Sequence, residues 1–275
     1  MYKEYWKFEV IPFQNTPDPR FFYPSPQHSE ALSRLHYAIQ QKVGAAMLTG
    51  TFGCGKTLLG QTLLKTLAGE KYKIAFIKNP KMDYIELLVA IVQELGGGKT
   101  LPTKKSDLVA PFILNELKEI LENNLKDGSE TIVIVDEAHV IENPSVLEGL
   151  RLLLNFQSSE QFLLTLLLLG QPELRTQVSQ FKPFSQRIGI KCHLDPLSAE
   201  ETRQYIHLRL KAAGGHESLF TEDAIPLIFE QTGGIPRKIN TLCDLCLLTG
   251  FAKKSAQIDK QIVQDTVQDE MGDKT

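Results

Sequence analysis

Residues 49–59 read Thr-Gly-Thr-Phe-Gly-Cys-Gly-Lys-Thr-Leu-Leu, and this stretch decides the fold. Gly50, four intervening residues and then Gly55-Lys56-Thr57 fit the phosphate-loop pattern. The apolar run 45–48 predicts a buried strand before the loop, and the amphipathic run 58–67 predicts a helix after it. A strand, a glycine-rich loop and a helix in this order predict an α/β nucleotide-binding domain.

The loop has the residue types that phosphate binding requires. Glycines allow backbone N–H groups to curl around phosphate oxygens, and the helix that begins at about Gly55 directs its positive end toward the same anion. We expect Lys56 to neutralise the β- and γ-phosphates and the Thr57 hydroxyl to ligate Mg²⁺, so ATP and Mg²⁺ are the predicted ligands. The candidate nucleotide-binding residues of the loop are Gly50, Thr51, Phe52, Gly53, Cys54, Gly55, Lys56, Thr57 and Leu58.

Length and composition limit the class of protein. A chain of 275 residues allows one or two domains, and its 42% apolar residues are enough for a core. The net charge of −3 gives no overall basic field of the kind found in many nucleic-acid binders. The longest apolar stretch, residues 162–169, is far shorter than the roughly 20 residues that span a bilayer, so we predict no membrane span.

Four scattered cysteines are typical of reduced thiols in the cytosol. Cys243 and Cys246 have the CxxC spacing that redox and zinc sites also use. They lack a second pair and fall on one face of an apolar helix, so we predict core packing. Cys54 lies in the phosphate loop, where we expect its thiol to lie at the phosphates and bound ATP to block its alkylation.

Residues 1–28 alternate aromatic residues with prolines. Prolines at this density oppose a helix or a central strand, and so many aromatic residues oppose a disordered tail. We therefore expect an extended arm laid across the domain, against the adenine of the nucleotide. A helix over about residues 29–42 is expected to follow it.

Apolar runs without polar alternation predict strands that are buried on both faces of a parallel sheet. Residues 131–135 have this pattern. A short strand is also predicted at 73–78, and further buried strands are predicted at 162–169 and 188–194. Helices predicted at 83–95 and 107–126 alternate with the strands. The fold class is therefore α/β, with a parallel sheet sandwiched by helices.

From Ser198 onward the pattern predicts helices only. Ser198-x-x-Glu201 is a capping box at the start of the first of these helices, and Pro236 suits the first position of another. We therefore expect a small all-α lid domain after the α/β core. The predicted divisions are an arm over 1–28, a nucleotide-binding core over 29–195, a helical lid over 196–270 and a polar tail over 271–275.

Asp136 and Glu137 follow the β-branched run at the end of a predicted buried strand, where ligands bind in open α/β sheets. Asp136 is expected to hold Mg²⁺ and Glu137 to polarise the water that attacks the γ-phosphate. The alternative is a surface acidic pair. With Ala138-His139 the stretch also spells a helicase box, which we set aside because the chain is too short for two helicase domains and its second half is all helical.

Four further residues are candidates for the catalytic machinery. Gln171 follows the next buried strand and could reach the attacking water, or it is simply a turn residue. Arg187 could stabilise charge at a neighbouring subunit's γ-phosphate, or it is a surface arginine. Arg237 in the first turn of a lid helix could fold onto the nucleotide. Asn79, at a strand end, could hold Glu137 inactive by a hydrogen bond or serve only to end the strand.

The order of the phosphate loop, Asp136-Glu137, Gln171, Arg187 and Arg237 resembles that of an AAA+ ATPase, a P-loop NTPase. More narrowly, the chain is similar to the general secretion pathway protein A (ExeA-like) family over about residues 5–270. The stretches that carry this likeness are Pro12-Phe13, Thr16–Tyr23, His28 with Glu30–Leu32, Leu169–Leu174, Ile235–Asn240 and Leu242–Asp244. The resemblance implies ATP hydrolysis that drives or switches assembly of a cell-envelope secretion or pilus system.

The resemblance also implies partners and a location. An arginine that acts across a subunit boundary implies self-association into a ring or filament, often a hexamer in this superfamily. Secretion or pilus components of the envelope are the implied partners. The implied location is the cytoplasm, with attachment to the inner membrane through a partner or a C-terminal anchor as in larger members.

A different class of function stays open. Related AAA+ regulators of transposition and replication initiators use a similar core as an ATP-gated DNA-binding assembly. Lysines that could contact DNA phosphates are Lys99, Lys104, Lys105, Lys253 and Lys254. No helix-turn-helix segment follows the predicted lid in the sequence, which counts against this alternative.

Overall fold

The computed structural model describes residues 2–67, 69, 71–98, 101–102 and 109–272. The chain forms two compact units. The unit that we call the sheet unit comprises residues 29–50 and 62–194, and the helical unit comprises residues 1–28, 51–61 and 195–275. Lys99, Lys104, Lys105 and the last residues of the predicted tail, 273–275, lie outside the described residues.

Five strands form the sheet, and all of their pairings are parallel. They are β1 (Ala45–Gly50), β2 (Tyr72–Ile77), β3 (Glu130–Val135), β4 (Leu164–Gly170) and β5 (Ile188–Leu194). The order is β2-β3-β4-β1-β5, and every residue of β1 and β4 is buried. Because parallel strands end at the same edge, β1, β3 and β4 bring their carboxyl ends together. The predicted parallel sheet is confirmed.

Twelve helices are described. They are α1 (Tyr2–Tyr5), α2 (Pro26–Gln40), α3 (Lys56–Thr66), α4 (Tyr84–Glu94), α5 (Ala110–Lys126), α6 (Pro144–Leu153), α7 (Pro172–Gln180), α8 (Lys182–Ser185), α9 (Ala199–Ala212), α10 (Ala224–Thr232), α11 (Pro236–Ala252) and α12 (Lys260–Gly272). The helix predicted over 29–42 begins earlier, at Pro26, because proline suits the first turn. The sequence analysis had not predicted α6, α7 or α8.

Aliphatic side chains of α4, α5 and α6 fill the core of the sheet unit against its strands. Representative members, all fully buried, are Leu88, Ile91, Leu117, Leu150 and Val133. Asp83 caps α4 in a capping box with Glu86, so the helix that covers this part of the sheet has a defined start. No helix in the described part of the chain is long and apolar enough to cross a membrane.

The aromatic arm of residues 1–28 belongs to the core of the helical unit. Trp6, Phe8, Phe13 and Phe21 are buried there with apolar residues of α9 to α12. The arm is not wholly extended as expected, since it contains α1 and a 3-10 turn at Pro19–Phe21. Packing against the helices favours local helical turns over an extended path. The expected contact with adenine stays a prediction.

Arg209 of α9 is a buried cation that the arm surrounds. Its Nε donates to the Pro12 carbonyl at 2.6 Å, and its Nη2 donates to the Gln14 carbonyl at 2.9 Å. Nη1 donates to the Tyr205 hydroxyl at 2.8 Å, and the guanidinium carbon lies 4.6 Å from the centroid of the Phe21 ring. Carbonyl oxygens and a ring face therefore stabilise the buried charge.

Trp6 makes the second fixed contact between the arm and the C-terminal helices. Its indole Nε1 donates to the Leu247 carbonyl at 3.0 Å. A Cβ on Gly250 would lie 3.1 Å from the indole, so glycine at this position makes room for the ring. Trp6 is the only tryptophan of the chain, and its fluorescence therefore reports on arm docking.

Three local predictions for the helical unit are confirmed. Ser198 and Glu201 form the capping box of α9, with the Ser198 hydroxyl accepting from the Glu201 N–H. Cys243 and Cys246 of α11 are fully buried, which agrees with core packing. Pro236 is the first residue of α11.

We expect Arg209→Met to lower the free energy of unfolding of the helical unit by about 3 kcal/mol, because hydrogen bonds to a charged group each contribute about 1.5–3 kcal/mol and the carbonyls of Pro12 and Gln14 lose their donor. Urea unfolding followed by Trp6 emission measures the loss. Lys211→Met is the matched control, since Lys211 is on the same helix with a side chain 76% exposed. Equal stability of the two variants would show that Arg209 does not fasten the arm.

Candidate nucleotide-binding and hydrolysis site

The phosphate loop adopts a backbone that only glycine allows at two positions. Gly53 has a φ of +86° and Gly55 a φ of +93°, both in the left-handed region. A Cβ on Gly53 would also lie 2.8 Å from the Cβ of Arg237. The loop therefore needs glycine for two reasons, the left-handed backbone at Gly53 and Gly55 and the close approach of the lid helix α11 to Gly53.

Lys56, the first residue of α3, is directed into the loop. Its side chain is buried, and its Nζ donates to the Thr51 carbonyl at 3.1 Å. The Leu59 N–H donates to the Gly55 carbonyl, so the helical hydrogen bonds begin directly at the loop. Thr57 follows in the first turn of α3. The ammonium and the amino-terminal end of α3 thus supply the positive charge that a polyphosphate needs.

His28 fixes the loop from the arm side. Its Nε2 lies 2.9 Å from the Cys54 carbonyl and its Nδ1 lies 2.7 Å from the Ser25 hydroxyl. Burial lowers the pKa of His28 below its ordinary value. The neutral ring therefore donates from Nε2 to Cys54 and accepts from Ser25 at Nδ1. The sequence indicated His28 only through the family resemblance. The Ser-x-x-His spacing at the start of a helix could have predicted its hydrogen bond to Ser25.

The Cys54 side chain is fully buried, and burial raises the pKa of its thiol. A buried thiol that resists ionisation reacts slowly with alkylating agents, with or without ATP. The thiol at the phosphates stays a prediction, and the contact that the structure shows for Cys54 is its main-chain carbonyl with His28.

Arg237 of α11 contacts the phosphate loop, and its expected contact with the nucleotide stays a prediction. Its N–H donates to the Gly53 carbonyl at 3.2 Å. Its guanidinium carbon lies 4.8 Å from the centroid of the Phe52 ring, and Phe52 is 52% exposed. Phe52, which had no assigned role beyond its place in the loop, thus packs against the arginine by a cation–π contact.

Asp136 and Glu137 form a tight turn after β3. Asp136 is 3% exposed, and its Oδ1 accepts from the Glu137 N–H at 2.9 Å. Glu137 has a φ of 53° and a ψ of 32°, a left-handed conformation that costs a residue other than glycine about 1–3 kcal/mol. Backbone strain of this kind occurs at functional sites.

Gln171 and Glu137 are linked through a residue to which the sequence analysis gave no role. The Gln171 Nε2 lies 2.8 Å from the His139 Nε2, and the Glu137 Oε2 lies 3.4 Å from the His139 Nδ1. The place of His139 in the Asp-Glu-Ala-His stretch could have indicated a role for its side chain. That stretch was considered only as a helicase box, so His139 was given no role.

The structure does not bring Arg187 or Asn79 to Glu137. The Arg187 guanidinium lies 3.5 Å from the Leu154 carbonyl and is part-buried. The Asn79 Oδ1 accepts from the Lys81 N–H at 3.3 Å, and within the described residues Asn79 makes no hydrogen bond to Glu137. The roles of Arg187 and Asn79 stay predictions.

The residues fit ATP with Mg²⁺ rather than a metal held by the protein alone. No group of three His, Cys, Asp or Glu side chains that could hold a metal exists in the described part of the chain. Mg²⁺ is usually bound by one or two protein ligands together with phosphates and water. Thr57 at the start of α3 and the buried Asp136 after β3 are each of a type that can serve as such a ligand.

Comparison with known proteins gives the family. The AAA domain profile matches residues 39–178, about half of the chain. The chain belongs to the AAA domain family. General secretion pathway protein A of Aeromonas hydrophila is 38% identical over 261 residues, which cover 94% of this chain and 46% of that protein. An uncharacterized HTH-type transcriptional regulator of Methanocaldococcus jannaschii is 31% identical over 70% of this chain and 47% of its own length.

Solved structures agree with this fold. The ADP form of the Aeropyrum pernix ORC2 protein has a TM-score of 0.69 at 16% identity and covers 95% of this chain and 72% of that chain. This likeness shows the P-loop NTPase fold alone. The chain spans about half the length of the curated relatives it matches.

We expect Gly53→Ala to lower ATP affinity at least about tenfold, because its Cβ adds left-handed strain and a clash with Arg237. Titration calorimetry with ATP measures the loss. Gly128→Ala is the matched control, because Gly128 also has a positive φ, of +73°, but a Cβ there meets nothing within 4 Å. If both variants bind ATP alike, close approach of α11 has no part in nucleotide binding.

Proposed function

We propose that the chain hydrolyses ATP to drive or switch assembly of a cell-envelope secretion or pilus system. The observation that carries the hydrolytic part is the turn in which buried Asp136 fixes a left-handed Glu137 at the carboxyl edge of the sheet. The relationship to general secretion pathway protein A supports the envelope part.

Each residue has a proposed role in the reaction. Lys56 and the loop N–H groups hold the β- and γ-phosphates, and Arg237 reaches the γ-phosphate from the lid. Glu137 accepts a proton from the attacking water, and Gln171 orients that water. Asp136 and Thr57 would hold Mg²⁺, which supplies neutralisation of the phosphate charge when bound.

We further propose that copies of the chain assemble into a ring or filament, with Arg187 of one copy completing the site of the next. Among the described residues its guanidinium makes only long contacts, at 3.5 Å, to Leu154 and Asn155. A loosely held arginine is available to a neighbouring γ-phosphate. The proposed place of action is the cytoplasmic face of the inner membrane, reached through envelope components.

Glu137→Gln should bind ATP with unchanged affinity and turn it over at least about tenfold slower, because the amide cannot accept the proton of the attacking water. A phosphate-release assay beside a binding titration measures both quantities. Glu142→Gln, an exposed glutamate a few residues further along, is the matched control. Unchanged turnover in Glu137→Gln would identify another residue as the base.

Mixed oligomers test the role of Arg187. Arg187→Ala and Lys56→Ala should each be inactive alone, because one lacks the donated arginine and the other lacks phosphate binding. Mixing them should restore part of the ATPase activity, since the Lys56→Ala copies still donate Arg187 to intact sites. Absence of any recovery, in mixtures shown by light scattering to co-assemble, contradicts action across the subunit boundary.

The second candidate is an ATP-gated DNA-binding regulator, which the relationship to an HTH-type regulator favours. The described lysines give it little support, because Lys253 pairs with Asp265. ATPase measurements with duplex DNA and with membrane fractions discriminate the two functions. Stimulation by DNA that falls steeply with added salt would favour the regulator.

A further inference from the structure

The His139 imidazole lies between the two side chains proposed to act on water. Its Nε2 is 2.8 Å from the Gln171 Nε2, and its Nδ1 is 3.4 Å from the Glu137 Oε2. The side chain is 13% exposed, compared with 35% for Glu137. His139 therefore contacts both groups from a largely buried position.

The main chain of His139 is fixed independently of its ring. Its carbonyl accepts from the Gln177 Nε2 at 3.0 Å. A Cβ on Gly170 would lie 3.2 Å from the His139 nitrogen and 2.8 Å from Leu174, so glycine allows the turn to approach β4 closely. A substitution of the imidazole thus removes the link between the side chains while these backbone contacts remain.

The position of the proton on the neutral His139 ring determines which hydrogen bonds the ring can make to Glu137 and Gln171. With the proton on Nδ1, the ring donates to the Glu137 carboxylate and accepts from the Gln171 side-chain amide at Nε2. With the proton on Nε2, Nδ1 can accept from the Gln171 main-chain N–H, 3.3 Å away, and Glu137 loses its donor. Because the proposed link needs an Nδ1–H that donates to the carboxylate, it requires the first tautomer, in which the Gln171 main-chain N–H makes no hydrogen bond to the ring.

We propose that His139 is a positioning residue that ties the Gln171 amide to the Glu137 carboxylate, so that the two are oriented as one unit. It acts through these residues and does not touch the nucleotide. The inference rests on the proposed hydrolysis of ATP. The positioning role explains why an imidazole is buried beside the strained turn. Hydrolysis that used Glu137 alone would not require this imidazole.

Kinetics of His139→Ala test the proposal. We expect kcat to fall at least about tenfold, as for a misplaced catalytic group, with ATP affinity within about twofold of wild type. His139→Gln, whose terminal amide can still reach Gln171, should recover at least part of the loss. His216→Ala, an exposed histidine of the helical unit, is the control. A loss of affinity without a loss of kcat would overturn the proposal.

A double-mutant cycle separates positioning from a merely structural role. If His139 and Gln171 act as one unit, the kcat losses of His139→Ala and Gln171→Ala do not multiply in the double variant. Melting temperatures of all variants identify any that fail to fold. Losses that multiply fully would show that the two residues act independently.

Imidazole ¹⁵N chemical shifts give a readout that needs no ATPase activity. The six histidines are labelled and the His139 signal is assigned by its absence from His139→Gln. We expect the Nδ1-protonated tautomer in wild type and a shift toward the other tautomer in Gln171→Ala. An Nε2-protonated ring in wild type, or no response to Gln171→Ala, overturns the link. If wild type binds ATP but does not hydrolyse it, the proposed hydrolysis fails, and these spectra still decide whether the link exists.

Discussion

Burial of the Arg209 guanidinium determines where the first 28 residues run. A cation removed from water is strongly unfavourable unless its donors are satisfied, and α9 alone cannot satisfy them. The carbonyls of Pro12 and Gln14 supply the missing acceptors, so the lid helices and the arm require one another. At its other end the arm places His28 against the Cys54 carbonyl of the phosphate loop. The conformation of the loop thus depends on a charge buried in the lid.

The turn formed by Asp136 and Glu137 depends on a constraint of a different kind, a hydrogen bond from the main chain to a buried carboxylate. Asp136 is buried at the end of β3, and its carboxylate accepts the N–H of a residue in the left-handed region. Such a backbone persists only where surrounding contacts determine it, and the Gln177 and His139 hydrogen bonds are contacts of this sort. The acidic pair therefore differs from an ordinary surface pair, in which neither carboxylate would organise its neighbour.

The sequence predicted the elements whose chemistry is local. The phosphate loop, the parallel strands and the Ser198 capping box each have a pattern set by nearby residues, and the structure agrees with them. The strand at 188–194 was also predicted to be buried, but β5 lies at the edge of the sheet and is partly exposed. The helices against which the arm packs could not be predicted, because aromatic residues among prolines have no regular spacing that would identify a partner element. The roles of His28 and His139 were missed for a related reason. A single histidine acquires a role only from residues that the fold brings to it, here Cys54 and Gln171.

The family relationship and the geometry constrain different parts of the function. Membership of the AAA domain family accounts for the strand order and the nucleotide loop, while the relatives extend well beyond the length of this chain. Fold likeness to the ORC2 protein at 16% identity does not transfer a substrate to this chain. The proposed envelope role thus depends on the relative that is 38% identical, and the proposed chemistry depends on residues 51–57 and 136–139 themselves.

Docking of Trp6 on Leu247 joins positions 241 residues apart, and this separation matters while the protein is being made. At a synthesis rate of about 5–20 residues per second, the arm leaves the ribosome roughly ten to fifty seconds before the helix that receives it. During that interval its aromatic side chains have no partner helix to cover them. The helical unit is consequently the last part of the chain able to fold, and its arm is the segment most exposed to aggregation or to chaperone capture on the ribosome.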